Sequence, residues 1–347
     1  MKKMLKLSVF IGLILLIVGC GNNQTSEQNE ASASEAEEKE VYEMKLHHDL
    51  AADSPQHIGA EKFKEIVEEE TDGQVEVKLF PSGQLGDDVE VAELIQNGSV
   101  ESGIIPTAKL STFDARMQLP DLPFIFPSRE AAYEVLDGEV GKELLAGLED
   151  IGLKGASFWE SGFKQFTNNE RIEEPSDFEG LKIRTMESPI VIKQFEALGA
   201  NPVPISFAET YNSLQQNVVI GQENPLVSIV KMKFYEVQDY TILSNHGYLA
   251  YAFLLSKEWF EQLPSDIQTV ILDASQEAAE FERSETMAQE EDFIKTIEDY
   301  GVEVYELTPE QSEMFQEQTR SVHDEFADEI GQDLLDKTYE IVESMNE

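Results

Sequence analysis

The segment from Ser265 to Tyr300 contains neither glycine nor proline and is rich in glutamate, alanine and glutamine. As one continuous helix it would measure about 54 Å, at ~1.5 Å per residue. That length exceeds the width of one small domain. The segment therefore predicts either one helix that spans two domains or two helices separated by a break near Glu285. The chain of 347 residues is long enough for two ordinary domains.

The first twenty residues have the pattern of an export signal. Three lysines precede an apolar run, Leu7 to Val18, that is too short to span a bilayer comfortably. Cys20, the only cysteine, ends the sequence Leu-Ile-Val-Gly-Cys, which resembles the lipobox of bacterial lipoproteins. We predict a signal peptide over residues 1–20, lipidation at Cys20 and a polar, flexible tether over residues 21–40. The alternative is ordinary cleavage beside an unmodified cysteine.

The charge of the chain limits its partners. Aspartate and glutamate number 69 against 25 lysines and arginines, which gives a formal net charge of −44. Such a surface repels nucleic acid and anionic lipid, so we expect no nucleic-acid partner and contact with the membrane only through a lipid anchor. With one cysteine, no intramolecular disulfide can form.

The body of the chain opens with a strand, a helix and a strand. Val41–Leu46 alternates like a half-buried strand, a helix follows from about His57 to Thr71, and Val75–Leu79 is the next strand. This βαβ unit is typical of a parallel or mixed α/β sheet.

Acidic residues follow both of these strands. Asp49 comes directly after the first strand, and Asp87 and Asp88 end the loop that follows the second. Loops at the carboxyl ends of strands line the ligand crevice of open α/β sheets, so we expect Asp49 and Asp88 to reach a ligand. Helix capping is an equally good interpretation for Asp87. Two histidines, His47 and His48, have no third metal ligand at a suitable spacing, and we predict neither metal nor cofactor.

The stretch from Gly180 to Pro225 places Arg184 at the end of a short strand. It continues to a predicted buried strand at Val218–Ile220 and a predicted Gly-Gln-Glu-Asn-Pro turn. An arginine in a cleft binds a carboxylate through two parallel hydrogen bonds, although a lone arginine is more often part of a surface ion pair. Lys164 supplies a second cation, and the amide of Asn224 is a further donor.

Several motifs together resemble the solute receptors of TRAP transporters, the tripartite ATP-independent periplasmic systems. The resemblance runs from about Glu43 to the C-terminus, in the expected order. The motifs are Gly180 to Arg184, Leu198 to Ala200, Pro202 to Pro204, Glu209 to Gln215, Gly221 to Pro225, Lys231 to Gln238, Pro81 to Asp88 and Asp121 to Phe124.

The resemblance implies a fold and a set of site residues. The implied fold is α/β, of the two-lobed periplasmic-binding-protein-like type II, with a long helix spanning both lobes. We assign residues 41–161 and about 250–285 to lobe I, and residues 162–249 and about 286–347 to lobe II. By resemblance, Arg184 forms the salt bridge that selects organic acids, Asn224 contacts the same ligand, and Phe207 packs against it.

Three departures from the sialic-acid receptors of this family bear on the ligand. Lys164 stands where those receptors have a second arginine, Glu187 replaces a small amide, and Pro106 replaces a glutamate. Sialic acid is therefore disfavoured. If Glu187 faces the cleft, it favours a hydroxylated sugar acid such as a uronate or aldonate. If it caps the helix that starts near Pro189, a C4-dicarboxylate fits equally well.

The sequence thus predicts a monomeric, lipid-anchored receptor on the extracytoplasmic face of the cell membrane. It would capture an organic-acid anion and deliver it to the membrane subunits of a TRAP transporter. An ABC-type receptor is the first alternative, and presentation of ligand to a sensor kinase is another. An extracellular enzyme that uses Glu160 and Glu187 is the least favoured alternative, because no nucleophile or metal motif accompanies them.

Overall fold

The computed structural model describes residues 40–345. The predicted signal peptide, the lipidation of Cys20 and nearly all of the predicted tether lie outside the described residues. Within residues 40–345, no helix is both long and apolar enough to cross a membrane.

One mixed sheet forms the centre of the body, and its order is β2-β1-β3-β8-β4-β7-β5-β6, with β9 paired to β8. The strands are β1 (Tyr42–His47), β2 (Val75–Phe80), β3 (Ser102–Pro106), β4 (Leu153–Asn168), β5 (Lys182–Thr185), β6 (Asn201–Pro204), β7 (Gly221–Pro225), β8 (Tyr240–Ser256) and β9 (Glu303–Glu306). Strands β1 and β2 pair in parallel, and so do β5 and β6.

Twelve α-helices are found in the described part of the chain. They are α1 (Pro55–Glu70), α2 (Asp88–Gln96), α3 (Arg129–Leu136), α4 (Glu139–Gly147), α5 (Pro189–Ala197), α6 (Thr210–Gln215), α7 (Leu226–Lys231), α8 (Lys257–Phe260), α9 (Ser265–Tyr300), α10 (Pro309–Thr319), α11 (Ser321–Ile330) and α12 (Gln332–Ser344). The predicted β1-α1-β2 opening is confirmed. Helix α1 begins two residues earlier than expected, because Ser54 caps it by accepting a hydrogen bond from the backbone N–H of His57 at 3.2 Å.

Two long antiparallel strands, β4 and β8, connect the two ends of the sheet. The C-terminal end of β8 pairs with β3, whereas the C-terminal end of β4 pairs with β7. Their mutual register shifts between Glu160 and Gly162, and Gly162 has a φ of 97°. A side chain there would be strained, and its Cβ would lie 2.8 Å from Nη2 of Arg129. This bulge lies at the predicted crossing between lobes.

The region around Gly221 differs from the sequence prediction. Residues Gly221–Pro225 form strand β7 and not a turn, and Val218–Ile220 is not a strand. The reason is pairing on both sides: β7 is antiparallel to β4 and parallel to β5, so all five of its residues are buried. The prediction of a turn was therefore wrong.

Helix α9 is continuous from Ser265 to Tyr300, so the predicted alternative of a break near Glu285 is wrong. Its N-terminal half packs against α1 through apolar residues that include Ile271 and Ala278. Near its C-terminal end, Phe293 and Ile297 join a second apolar cluster beside α7. At the C-terminus of the chain, α12 packs against α3 and α4. The lobe boundaries stay a prediction.

The middle of α9 carries a buried acid, Glu282. One of its carboxylate oxygens accepts a hydrogen bond from the hydroxyl of Thr286 at 2.8 Å, and the other accepts one from the backbone N–H of Glu160 at 3.3 Å. Burial, reinforced by the charge of Glu160, raises the pKa of Glu282 to about 8 from an ordinary value of 4.5. Between these two pH values the folded protein retains a proton that the unfolded chain has lost. The free energy of unfolding therefore falls as the pH rises through this window.

The substitution Glu282→Gln is expected to remove this pH dependence. Relative to the native chain, the variant should gain stability between pH 5 and pH 8.5, by at least ~1.4 kcal/mol, which corresponds to one pKa unit. Urea unfolding at the two pH values measures the change. Glu280→Gln, an exposed acid on the same helix, is the matched control. If the stability of Glu282→Gln differed from that of the native chain by the same amount at both pH values, the raised pKa of Glu282 would be contradicted.

Candidate functional site

Arg184 lies on β5, between β6 and β7, with its side chain buried to 1% exposure. Its Nε donates a hydrogen bond to the carbonyl oxygen of Ile205 at 2.9 Å. Its Nη1 is buried and has no hydrogen-bond partner among the described residues. Buried donors are normally paired, and this unpaired N–H is therefore a position at which a ligand carboxylate could accept a hydrogen bond.

The electrostatic surroundings of Arg184 show which acids lie near its guanidinium. Burial lowers the pKa of Arg184 to about 10. Carboxylates act in the opposite direction, and those that surround the guanidinium are Glu223, Glu187, Asp49 and Asp87. Two predicted site residues, Asp49 and Glu187, are therefore brought within electrostatic reach of the predicted anion-binding arginine.

Lys164 lies on β4 and is 1% exposed. Its Nζ is 3.1 Å from Oδ1 of Asp121 and 3.4 Å from Oε1 of Glu223. Burial would raise the pKa of Glu223, but Lys164 and His246 outweigh burial and lower it to about 2. The imidazole of His246 lies 3.1 Å from Glu223 and stacks on Phe166. Lys164 thus belongs to a buried ion-pair cluster.

The amide of Asn224 is part of a hydrogen-bond chain along β7. Its Nδ2 donates to Oε1 of Gln222 at 2.5 Å, and Gln222 in turn donates to the hydroxyl of Thr167 at 2.9 Å. Side chains of a strand alternate between faces, which places Glu223 on the face opposite to Asn224. A direct contact of Asn224 with ligand stays a prediction.

Asp88 is the first residue of α2 and is 2% exposed. Its carboxylate lies 3.3 Å from Nε2 of His47 and 2.9 Å from Nζ of Lys109. Asp87 is the N-cap of the same helix, in a capping box with Glu90, so the capping interpretation of Asp87 is confirmed. Asp87 also lies 3.2 Å from Lys109.

Sequence reasoning missed Lys109. This lysine lies on a short 3₁₀ turn directly after β3, at the same edge of the sheet as the loops after β1 and β2. The rule that selected Asp49 and Asp88, proximity to the carboxyl end of a strand, applies to Lys109 as well. Glu223 was missed for a different reason, since its motif was interpreted as a turn.

Glu187 does not cap α5. Ser188 is the N-cap residue, and its hydroxyl accepts a hydrogen bond from the backbone N–H of Val191 at 3.5 Å. The capping alternative for Glu187 is therefore wrong. The Glu187 side chain is 46% exposed, and its Oε2 lies 4.0 Å from Nζ of Lys109. Glu187 therefore lies beside the ion pair of Lys109 and Asp88.

Of two further predicted site residues, Asp49 lies in a polar environment and Phe207 in an apolar one. Asp49 accepts a hydrogen bond from the hydroxyl of Tyr251 at 3.4 Å, and burial raises the pKa of Asp49 well above its usual range. Phe207 packs edge-to-face on Phe234, at 6.1 Å between ring centroids, within an apolar cluster. Its contact with ligand stays a prediction. In residues 40–345, no group of three or more His, Cys, Asp or Glu side chains is arranged to hold a metal ion.

Comparison with known proteins places the chain in a family. Residues 46–329 match the model of the family described as "Bacterial extracellular solute-binding protein, family 7". The chain belongs to this family. A curated family relative, the C4-dicarboxylate-binding periplasmic protein DctP of Rhodobacter capsulatus, is 37% identical over 84% of this chain and 88% of the relative. The C4-dicarboxylate-binding protein DctB of Bacillus subtilis is 32% identical over 86% of each chain.

Solved structures of similar proteins agree with the fold. A TRAP periplasmic solute-binding protein from Sulfurospirillum deleyianum with bound succinate has a TM-score of 0.82 and 37% identity, covering 87% of this chain and 99% of its own. The sugar acid binding protein DctPAm from Advenella mimigardefordensis, in complex with galactonate, has a TM-score of 0.85 and 35% identity, covering 88% and 99%. The predicted family and the predicted two-lobed α/β fold with a long helix are confirmed. Family 7 consists of extracytoplasmic solute receptors, and neither the ABC-type alternative nor the enzyme alternative is favoured.

Proposed function

We propose that this family 7 protein captures an organic-acid anion outside the cytoplasm and delivers it to a TRAP-type membrane carrier. The observation that carries the proposal is the buried guanidinium of Arg184, whose Nη1 has no partner among the described residues. A ligand carboxylate supplies the acceptor that this donor needs and the opposite charge that a buried cation needs. The relatives that bind succinate and galactonate support the ligand class.

The remaining site residues are proposed to contact the rest of the ligand. Asp49, Asp88, Lys164, Glu187, Phe207 and Asn224 keep the ligand-binding role predicted from the sequence. The short distances that link Asp88, Lys109 and Glu187 support one continuous polar wall beside Arg184.

We also propose that two lobes close around the ligand. The lobe boundaries are those predicted from the sequence. Two contacts between the proposed lobes support it. Lys231 of α7 lies 2.9 Å from Asp53, which precedes α1, and Lys109 lies 4.0 Å from Glu187. Closure excludes water and strengthens the arginine–carboxylate pair, because the local dielectric constant falls.

The anchor and the oligomeric state are proposed from the sequence. We propose a monomer tethered to the extracytoplasmic face of the membrane by lipid on Cys20. The mass of the mature N-terminal peptide tests the lipid, since an unmodified cysteine there would refute it.

A thermal-shift screen tests the proposed function. The panel contains succinate, malate, galactonate, galacturonate and sialate, and neutral galactose is the matched control without a carboxylate. At a hundredfold excess over its Kd, a bound acid should stabilise the protein by about 2.7 kcal/mol, because it binds only the folded state. Galactose should produce no shift. The absence of a shift from every acid, or an equal shift from galactose, would contradict the proposal.

A further inference from the structure

Within residues 40–345, three buried cations lie in or beside the proposed ligand site, and their protein partners differ. They are Lys109, Lys164 and Arg184, each no more than 2% exposed. A dicarboxylate ligand needs cationic or strong hydrogen-bond partners at both of its ends. A buried cation that is not already paired with protein acids is the strongest partner that the site can offer to a ligand carboxylate.

Lys109 is fully engaged by protein acids. Its Nζ lies 2.9 Å from Asp88, 3.2 Å from Asp87 and 4.0 Å from Glu187. Burial opposes the charge of this lysine, but the acids around it outweigh burial and raise its pKa. Lys109 consequently brings no uncompensated positive charge to the cleft.

Lys164 is engaged in the same way. Asp121 and Glu223 lie within 3.4 Å of its Nζ, and both of these acids are buried. A second ligand carboxylate could pair with Lys164 or Lys109 only by displacing a protein carboxylate, which would then be buried without a partner.

Arg184 differs from both lysines. Within residues 40–345 its guanidinium makes one hydrogen bond, to a neutral carbonyl oxygen, and Nη1 is unpartnered. Of the three buried cations, Arg184 is the one with no acid at ion-pair distance among the described residues, and it is therefore the one available to a ligand carboxylate. The site therefore has one position for a carboxylate, next to an excess of protein acids.

We infer that the site takes monocarboxylates with a hydroxylated chain, of the aldonate or uronate class, and discriminates against a second carboxylate. This inference rests on the proposed function and narrows its ligand class. Glu187, an exposed acid near Arg184, accepts hydrogen bonds from ligand hydroxyls and repels a ligand carboxylate. The hydroxyl of Tyr251, already hydrogen-bonded to Asp49, extends this polar wall.

A matched pair of ligands tests the inference directly. D-Galactonate and D-galactarate share six carbons and the same hydroxyl configuration, but the latter has a carboxylate in place of the terminal CH₂OH group. Isothermal titration calorimetry is expected to show galactonate binding at least tenfold more tightly than galactarate. Equal or tighter binding of galactarate, or tighter binding of succinate than of any sugar acid, would overturn the inference.

A substitution at Glu187 tests the cause of the discrimination. Glu187→Gln removes one of the acids around Lys109. Because this side chain is 46% exposed, the variant is expected to fold like the native protein, and circular dichroism verifies it. We expect the galactonate-to-galactarate affinity ratio to fall by at least threefold. Glu280→Gln removes the same charge from an exposed position on α9 and should leave the ratio unchanged. A ratio that stays constant in Glu187→Gln would refute the role of the acids.

The outcomes separate this inference from the proposed function. If galactarate or succinate binds best and its binding depends on Arg184, the receptor function stands and the monocarboxylate inference fails. If no acid of the thermal-shift panel or of this pair binds, both fail.

Discussion

Arg184→Ala is expected to weaken the binding of the preferred organic acid at least tenfold, and by as much as about a thousandfold. The substitution removes both the charge and the free N–H of the buried guanidinium. Calorimetric titration of the native protein and the variant measures the effect. Because the empty protein no longer has to bury this charge, the variant should fold, and circular dichroism verifies that it does.

Two further variants define what Arg184 contributes. Arg184→Lys retains a positive charge but not the planar fork of donors, so we expect it to recover only part of the lost affinity. Arg171→Ala removes an exposed arginine that pairs with Glu173 and Glu303, and it should bind like the native protein. An unchanged Kd in Arg184→Ala would refute the anion-binding role of this residue.

Lys164→Met is expected to destabilise the protein by about 3–5 kcal/mol, because it leaves the carboxylates of Asp121 and Glu223 buried without the lysine that pairs with both of them. Urea unfolding at neutral pH measures the loss. Lys182→Met, which removes an exposed lysine of β5, should change the stability little. The double variant Lys164→Met/Glu223→Gln should recover part of the loss, since one of the two unpaired charges is gone.

The pH dependence of this cluster provides a second measurement. Because the folded pKa of Glu223 is about 2 and its ordinary value is 4.5, its ionised form stabilises the native protein above pH 4.5. That contribution is lost as the pH falls toward 2. Lys164→Met should raise the folded pKa of Glu223 and move the loss to higher pH. A variant that unfolds with the same stability and acid profile as the native chain would show that the pair contributes nothing.

The parts of the fold that the sequence predicted are those controlled by local pattern. The alternation in β1 and β2 follows from one buried face, and the uninterrupted α9 follows from the absence of glycine and proline. Gly221–Pro225 was mispredicted because glycine and proline are typical of turns, whereas here strands on both sides bury the segment. Local composition cannot reveal neighbours that come from distant parts of the chain.

The same distinction applies to the candidate site. The motif around Arg184 identified the residue, and its burial accompanies the pairing of β5 with a strand on each side, β6 and β7. The partners of Lys164 were not predictable, because Asp121 lies 43 positions away and the ion pair exists only once the chain has folded. For Glu187, the sequence allowed a cap or a cleft residue. The hydroxyl of Ser188 decides against the cap.

The pairing of β8 limits where insertions and deletions can occur during the evolution of this chain. This strand is bordered by β3 at one end, by β9 at the other and by β4 along most of its length. Deleting one residue from its middle would turn the side chains of one end to the opposite face, and no loop lies between the ends to absorb the shift. Variation in length should therefore be confined to loops and to the existing bulges, which an alignment of family 7 sequences would reveal. Substitutions at the two ends of the sheet can therefore be independent, but β8 fixes the pairing register of both ends together.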